Sequence, residues 1–559
     1  MNRTEYLPAN VTCQSLGTPL YFFPEQSSGE RWTALLLFGL TCAYLYLFRR
    51  YTNTDADEGV ILEGAQRILH GEILYRDFFS FYTPGSYYFL AALFKIFGNS
   101  LPVARAALVL FGGVFSVIPY LLARRVCSRG SALCVAGLLT LTCLPYRFLV
   151  LHNWDSTLWT CLALYSAVRW MESMRRAWAF AAGSFTSLTF LFEQSKGAGL
   201  ALGMGVGILL VAYLGRQKEM LAKPVLLAAG AGLLWPFALT FGYFAAQHSL
   251  FQMLTDCLWP LWHYTRANHV PYGYQNWSDS TRLLLFGNAS LSVRLIALLA
   301  ASPSLLIPAI PLLAIALLLY WTMRLRRRNA PSEKSTYFVL VNSSLTGLLL
   351  SVVLVRPDII HFMYLAPLFF LLFAWLLDGR DIPGRSFPAS KLLLTTFFAL
   401  AFLSMAASLL LRATGAHITL RTRRGVLAMS IPDSALASLQ SHTSLGETIL
   451  VYPYLPLYYY LTGTFSPSRY DYLQPGMNTP AQYQEMLSQL ASQRVRLVLM
   501  ETSFAEKIPT SWPETPLSAI ANDPVTDYIL VHYHPCQRLQ SSTGWRFLLL
   551  LRNDLPCPE

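Results

Sequence analysis

Apolar stretches of about 20 residues recur along residues 33–411, and this pattern limits the folds that the chain can adopt. A window of about 19 residues finds roughly eleven of them. Only 13% of the residues are charged, against about 25% in an average soluble domain. We therefore predict an α-helical polytopic membrane protein with about 11 transmembrane helices, at 33–48, 103–123, 131–150, 156–171, 177–192, 197–214, 224–245, 304–323, 336–355, 361–377 and 391–411.

Arginine and lysine residues cluster in alternate loops between these spans. The loops near 124–129, 169–176, 216–223, 324–328 and 380–391 are basic, whereas the short loops between them carry one cation each, namely Arg147, Lys196 and Arg356. Because basic loops stay in the cytoplasm, the pattern predicts a cytoplasmic tail at 1–32 and an extracytoplasmic loop at 49–102. The net charge of +12 is then a basic rim that faces anionic membrane lipids, and it requires no nucleic acid partner.

The region 413–559 has no further predicted span. With an odd number of spans and a cytoplasmic N-terminus, it lies on the extracytoplasmic side of the membrane. Residues 447–452, 495–500 and 545–552 are short apolar runs that are typical of strands, and the segments 481–493 and 524–532 between them are typical of helices. Alternating strands and helices predict a small extracytoplasmic α/β domain. Cys536 and Cys557 flank its last strand and are candidates for a disulfide, because oxidation is permitted outside the cytoplasm.

Acidic and basic residues gather on the predicted outer face. Asp57 and Glu58 follow the first span, Asp155 begins the fourth, and Lys196, Arg356 and His361 lie in the outer turns. Charged groups at a membrane boundary are costly and are usually kept for chemistry or transport. Carboxylates can accept a proton from a nucleophile, and cations can hold a phosphate and stabilise its charge. The set therefore suits a reaction between an acceptor nucleophile and an anionic lipid headgroup.

A spaced motif runs through the acidic loop into the second span: Asp57-Glu58-Gly59, Ala65, Gly71, Tyr75-Arg76-Asp77, Pro84-Gly85, Tyr87-Tyr88, Phe97-Gly98 and Ala104-Arg105. This pattern resembles the first outer loop of the glycosyltransferase C (GT-C) superfamily. It is most similar to the family 39/83-like branch of protein O-mannosyltransferases and lipid A aminoarabinose transferases. In that branch a second acid matches Asp155 and a lysine matches Lys196.

The resemblance implies a GT-C transmembrane catalytic domain at 33–412, with juxtamembrane helices in the loop 49–102. The implied activity is transfer of a sugar from a polyprenyl-phosphate-linked donor to an extracytoplasmic protein, lipid or glycan acceptor, with inversion. Such an enzyme would lie in the bacterial inner membrane, with its active site on the outer face. The candidate catalytic residues are Asp57, Glu58 and Asp155, with Asp57 as the base, and the candidate substrate-binding residues are Lys196, Arg356, His361, Arg105 and Tyr82.

Two alternatives remain open at this point. Members of the superfamily that use diphosphate donors bind a divalent cation through acidic residues, so a metal at Asp57 and Asp155 is the lesser alternative to a site without a cofactor. A transporter or flippase of lipid-linked sugars would also place ionisable groups inside a helical bundle. A transporter of that kind would be expected to show repeated halves, and the sequence has no internal repeat. The sugar, the acceptor and the lipid chain length are not specified by the sequence.

Overall fold

A computed structural model of the chain describes residues 28–52, 55–264, 268–274, 286–327, 333–378, 388–516, 518 and 523–558. Three residues of the predicted basic loops, Arg328, Arg380 and Arg385, lie outside these ranges. Most of the predicted tail 1–32 also lies outside them. The helices up to residue 414 are α1 Ser28–Tyr46, α2 Ala56–Leu69, α3 Gly85–Phe97, α4 Leu101–Ala123, α5 Arg129–Tyr146, α6 His152–Ser173, α7 Arg176–Phe192, α8 Gln194–Leu214, α9 Lys223–Ala246, α10 Leu250–Leu258, α11 Leu291–Leu306, α12 Ile310–Arg327, α13 Glu333–Val355, α14 Ile359–Met363, α15 Phe370–Asp378 and α16 Pro388–Thr414.

Several of these helices are long and apolar enough to cross a bilayer, which confirms an α-helical integral membrane protein. Within the described ranges, six segments meet both requirements by length and composition. They are 101–123, 194–214, 223–246, 291–327, 333–355 and 392–414. The count of about eleven spans stays a prediction. Four of the five remaining predicted spans match α1, α5, α6 and α7 in position, and the fifth, 361–377, is divided into α14, a 3₁₀ turn at Ala366–Phe369 and α15.

The predicted span 304–323 is too short. α11 and α12 are joined by a 3₁₀ turn at Ile307–Ala309, and together they form one apolar segment of 37 residues. Pro303 and Pro308 lie within this segment, and in the sequence they make it look like two shorter pieces. A proline removes one backbone donor, but in a helix it is tolerated where the turn tightens.

Close packing of α8 against α13 holds the first turn of α8, which carries Lys196, in place. A Cβ atom added to Gly199 would lie 2.5 Å from the carbonyl oxygen of Gly347, and one added to Gly203 would lie 2.5 Å from that of Ser343. Small residues let membrane helices approach until their backbones touch. The glycines of α8 therefore hold its first turn in a defined position beside α13.

The C-terminal region is the small α/β unit that the sequence predicts. A four-stranded sheet has the order β3-β4-β6-β5, in which β3 and β4 are parallel and the other pairs are antiparallel. The β1–β2 hairpin and β5 were not predicted. The elements are β1 Ile418–Thr422, β2 Gly425–Met429, α17 Ser434–His442, β3 Leu450–Tyr452, α18 Leu457–Thr462, α19 Pro480–Gln493, β4 Leu497–Glu501, α20 Phe504–Ser511, α21 Pro524–His532, β5 Tyr533–Gln540 and β6 Arg546–Arg552.

The loop 49–102 shares one hydrophobic core with this C-terminal region. Residues of α2 and α3 are buried together with those of α17, α18 and the central strands. At the closest approach, a Cβ atom on Gly59 would lie 2.0 Å from the backbone nitrogen of Leu457. The backbone of Ala428 also pairs with Arg50 and Thr52 at 2.7 and 3.0 Å. The helix that begins beside Asp57 is therefore held by the C-terminal region as well as by the membrane helices.

Cys536 and Cys557 form a disulfide, as their positions in the sequence suggested. The bond ties β5 to the residues that follow β6. It lies in the region that the basic-loop pattern assigns to the outer face of the membrane.

Candidate functional site

Asp57 lies in the first turn of α2, where the chain rises from the membrane helices. The side chain of Asp55 caps this helix by accepting a hydrogen bond of 2.9 Å from the backbone N–H of Asp57. An aspartate is favoured at this position because it pairs with the free N–H groups of the first turn. The cap fixes the start of α2 and, with it, the direction of the Asp57 side chain.

Arg147 bridges the two aspartates from the loop between α5 and α6. Its Nη2 donates to Oδ2 of Asp57 at 2.7 Å and to Oδ2 of Asp55 at 3.1 Å. Burial raises the pKa of Asp55 to about 6, although the Arg147 cation acts in the opposite direction. The Nε atom of Arg147 is buried, and none of the described residues accepts a hydrogen bond from it. Arg147 thus has one N–H donor that the described residues leave without an acceptor.

Aromatic side chains line the other side of Asp57. Tyr454, which follows β3 in the C-terminal region, donates its hydroxyl to Oδ1 of Asp57 at 3.0 Å. Burial, reinforced by the charge of Asp57, raises the pKa of Tyr454 well above its usual value, so the phenol stays protonated as a donor. Tyr82 is also close, and its pKa is raised by burial and by neighbouring tyrosines and Asp57. Its ring lies 4.1 Å from that of His152, between the centroids.

Glu58 points away from Asp57 into a fully enclosed ion pair with Arg105 of α4. Its Oε2 accepts a hydrogen bond of 2.8 Å from Nη2 of Arg105, and the two side chains are 1% and 0% exposed. The remaining groups are also satisfied, since Val150 N–H donates to Glu58 and Arg105 donates to the carbonyl oxygens of Arg49 and Tyr51. This pair joins α2, α4 and the loop that carries Arg147. In this geometry neither side chain is open to a substrate.

Asp155 and Lys196 form a second polar group, separate from Asp57. The buried carboxyl of Asp155 lies beside Ser86 of α3 and within the electrostatic reach of Lys196. Lys196 pairs with Glu193 at 2.9 Å and also donates to the carbonyl oxygen of Asn153 at 2.9 Å and to Oγ of Ser156 at 2.8 Å. These contacts use the three N–H donors of the ammonium group. Lys196 is the one cation of its outer turn, and the structure pairs it with Glu193, which lies one helical turn away.

Arg356 is paired as well. Its Nε donates to Oδ2 of Asp358 at 2.6 Å, and its Nη2 donates to the carbonyl oxygen of Ser511 in the C-terminal region at 2.5 Å. The same aspartate accepts from Nδ1 of His361 at 2.7 Å. Burial opposes a charged carboxylate here, but His361 and Arg356 outweigh it and lower the pKa of Asp358. His361 keeps a half-buried ring, so it is the more accessible of the two candidates.

Tyr264 lies between the group around Asp57 and the group around Arg356, because its hydroxyl interacts electrostatically with both residues. The structure therefore brings together Asp57, Tyr82, Arg356 and His361 at one end of the helical bundle, with Asp155 and Lys196 in an adjoining buried polar group. The buried pair of Glu58 and Arg105 joins α2 to α4 beside these residues.

The described acids do not form a three-ligand metal set at this site. Among the described residues, the single group of three or more possible ligand atoms within 4.8 Å of one another is His534, Cys536 and Cys557. Two of these are joined as the disulfide. Asp57 is instead occupied by Arg147 and Tyr454, so we derive no step through a metal.

Comparisons with known proteins agree with this architecture. The model of the family described as dolichyl-phosphate-mannose-protein mannosyltransferase matches residues 82–243, a range that includes Tyr82, Arg105, Asp155 and Lys196. The structure of ArnT from Cupriavidus metallidurans bound to undecaprenyl phosphate aligns with a TM-score of 0.51 at 13% identity, over 95% of this chain and 98% of that chain. The chain therefore has the GT-C fold, and its residues 82–243 match this mannosyltransferase family.

A second GT-C structure has a similar relation to this chain. The archaeal oligosaccharyltransferase AglB from Archaeoglobus fulgidus, in complex with an inhibitory peptide and a dolichol-phosphate, aligns with a TM-score of 0.50 at 12% identity. The alignment covers 95% of this GT-C chain and 75% of AglB. At such identities the likeness concerns the fold. No curated protein sequence matches significantly. The partial family match and the shared fold together support a membrane glycosyltransferase.

Two residues of the site were missed by the sequence reasoning. Arg147 was noted as the one cation of its loop, and this isolation was the signal that marked it for attention. Tyr454 lies in an aromatic run whose neighbours, Tyr458, Tyr459 and Tyr460, are fully buried packing residues. No sequence signal distinguishes the tyrosine that reaches Asp57 from those that fill the core.

Proposed function

We propose that this GT-C protein transfers a sugar from a polyprenyl-phosphate-linked donor to an acceptor on the outer face of a bacterial inner membrane, with inversion of the anomeric carbon. The mannosyltransferase family match and the fold shared with lipid-carrier-bound ArnT and AglB support the donor class. The basic loops at the opposite end of the helices and the Cys536–Cys557 disulfide support the orientation. The acceptor class stays open among protein, lipid and glycan.

Asp57 is the base in this proposal, and its accessibility carries the assignment. Its side chain is 46% exposed, whereas Glu58 and Asp155 are buried. An acceptor hydroxyl can therefore reach Asp57 from water. Arg147 donates to one oxygen of the carboxylate and Tyr454 to the other, so the two contacts orient Asp57. Orienting a base in this way is part of what general base catalysis requires.

The step balances with one base and one leaving group. Asp57 takes the proton of the acceptor hydroxyl while that oxygen forms a bond to the anomeric carbon. The bond from this carbon to the donor phosphate oxygen breaks, and polyprenyl phosphate leaves with the electron pair. Attack from the face opposite the phosphate inverts the configuration.

Arg147 is the cation that we assign to the donor phosphate. Its Nε atom is without a partner among the described residues, whereas Lys196 has all three donors in use. Arg356 and His361, which line the same end of the bundle, are proposed to add positive charge near the phosphate. Lys196 is proposed to act on Asp155 and Glu193, and so to support the site without a direct contact. A growing phosphate charge is stabilised by such oriented cations as the glycosidic bond breaks.

The decisive experiment supplies the purified protein in nanodiscs with a synthetic polyprenyl-phosphate sugar and, in parallel, a nucleotide sugar. We expect release of polyprenyl phosphate from the first only, and a product of inverted anomeric configuration in the proton NMR spectrum. A protein that moves the intact lipid-linked sugar across the bilayer without cleaving it would instead be a flippase. Turnover of the nucleotide sugar would contradict the donor assignment.

A further inference from the structure

The segment 250–264 joins the membrane helices to the candidate site. The membrane helix α9 ends at Ala246, and a turn with His248 in the left-handed region (φ 55°) reverses the chain into α10. A single π-helical turn, Pro260–Tyr264, continues α10. The segment therefore begins within four residues of the end of a bilayer-spanning helix.

One face of this segment exposes a stripe of large apolar side chains. Phe251, Leu254, Leu258, Leu261 and Trp262 are between 41% and 79% exposed. Their spacing follows the period that places residues on one helix face. No described residue of the chain covers this stripe, although the other face of the same helix is well packed.

The opposite face packs towards the site. Met253 and Asp256 are buried, and Sγ of Cys257 donates to the hydroxyl of Tyr75 at 3.4 Å. Further along, the ring of Trp259 lies 5.6 Å from that of Phe79, between the centroids. The segment is therefore a wall with a protein-facing side and a bare apolar side.

The ring of Tyr264 completes the inner face, 5.1 Å from the ring of Phe81 between the centroids. Tyr264 is the residue that lies near both Asp57 and Arg356. The position of this wall consequently determines where Tyr264 lies in the candidate site.

We propose that the stripe of Phe251, Leu254, Leu258, Leu261 and Trp262 lies in the boundary between the lipid headgroups and the acyl chains. Three observations favour the bilayer as the occupant: the stripe starts directly after a spanning helix, its exposed apolar residues carry no charge, and it ends in a tryptophan, which concentrates at that depth. In this position the segment separates the bilayer from the candidate site. The inference concerns lipid contact and does not depend on the proposed reaction.

Photocrosslinking in a bilayer tests the proposal directly. Benzoylphenylalanine is introduced singly at Phe251, Leu258 and Trp262 of the full chain, in nanodiscs of phosphatidylcholine and phosphatidylglycerol. The matched control is Leu445, which is 68% exposed but belongs to the C-terminal region. Irradiated protein is then analysed by mass spectrometry for phospholipid adducts.

We expect phospholipid adducts at the three stripe positions and only background at Leu445. Burial of one large apolar side chain changes a partition equilibrium by roughly tenfold or more, so the difference should be at least of that order. Equal labelling at Leu445, no lipid adduct at the stripe, or adducts to a second copy of the chain would each overturn the proposal. If the Trp262 variant does not elute as a single folded species, Leu261 on the same face replaces it.

Discussion

The hydroxyl of Tyr454 donates a hydrogen bond of 3.0 Å to the carboxylate of Asp57, although 397 positions separate the two residues in the chain. The proposed base is thus completed by the C-terminal region. Gly59, two residues further along α2, touches Leu457, three residues beyond Tyr454. The two contacts hold the start of α2 against the C-terminal region at the point where the acceptor would approach.

Removal of this hydroxyl should reduce turnover without unfolding the protein. Tyr454→Phe loses a hydrogen bond to a charged group, which is worth about 1.5–3 kcal/mol. We expect kcat to fall by roughly tenfold to a hundredfold and the unfolding temperature to stay close to that of the wild type. Tyr472→Phe, a neighbouring ring 5.2 Å from Tyr454 between the centroids, is the matched control. An unchanged kcat for Tyr454→Phe would show that the contact does not orient the base.

Substitution of Arg147 should change the KM for the sugar donor more than the KM for the acceptor. Arg147→Met removes the cation proposed for the phosphate, so the KM for the polyprenyl-phosphate sugar should rise and kcat should fall. Loss of a hydrogen bond to a charged partner predicts a change of roughly tenfold or more in kcat/KM. Steady-state kinetics in nanodiscs give both constants, and Arg421→Met, an exposed arginine of β1, serves as the control. If only the acceptor KM changes, the phosphate binds elsewhere.

The enclosed pair of Glu58 and Arg105 should be essential for stability. Breaking a buried ion pair on one side leaves an uncompensated charge and costs about 3–5 kcal/mol. Glu58→Gln and Arg105→Met should therefore each lower the unfolding temperature clearly in detergent. The double variant Glu58→Gln/Arg105→Met should lose less than the sum of the two, because it leaves no unpaired charge. Wild-type unfolding of both single variants would contradict a structural role for this pair.

A buried acid in α2 should make stability depend on pH. Glu63 is enclosed with Asp471, Arg67, Glu72 and Arg424, and burial together with the charge of Asp471 raises its pKa well above the ordinary value of 4.5. The folded protein thus binds a proton that the unfolded chain loses above that value. Stability contributed by the proton is full below about pH 4.5 and declines as the pH rises towards the folded pKa.

Glu63→Gln keeps the size of the neutral acid and removes its titration. We expect this variant to lose less stability than the wild type between about pH 5 and pH 8, in thermal unfolding followed at several pH values. A wild-type pH profile, or a marked loss of stability at pH 5, where Glu63 is expected to be neutral, would show that the acid is charged in the fold.

The sequence predicts much of the architecture because the positions of membrane helices follow from local composition. Apolar length located α4, α8, α9, α13 and α16, and short apolar runs located β3, β4 and β6. The β1–β2 hairpin was missed, because Arg423 and Arg424 occupy its turn and obscure the strand pattern on either side. The long segment of α11 and α12 was shortened in the prediction by its internal prolines.

The candidate site was predictable in position but not in its contacts. Asp57 stands out through the spaced motif that follows it. The ion pairs of Glu58 with Arg105 and of Asp57 with Arg147 span 47 and 90 positions, and only the folded chain brings α2 to α4 and to the loop after α5. The pairing of Lys196 with Glu193 was the exception, since a separation of three residues already places both charges on one turn.

Asp57→Asn tests the central claim most directly, because it keeps the size of the side chain and removes its basicity. Single-turnover kinetics with a synthetic polyprenyl-phosphate sugar separate chemistry from donor binding. We predict a loss in the chemical rate of about 10²–10⁴-fold, as is typical of a lost general base, with donor binding and the unfolding temperature retained. A chemical rate within a few-fold of the wild type would contradict the assignment of Asp57 as the base.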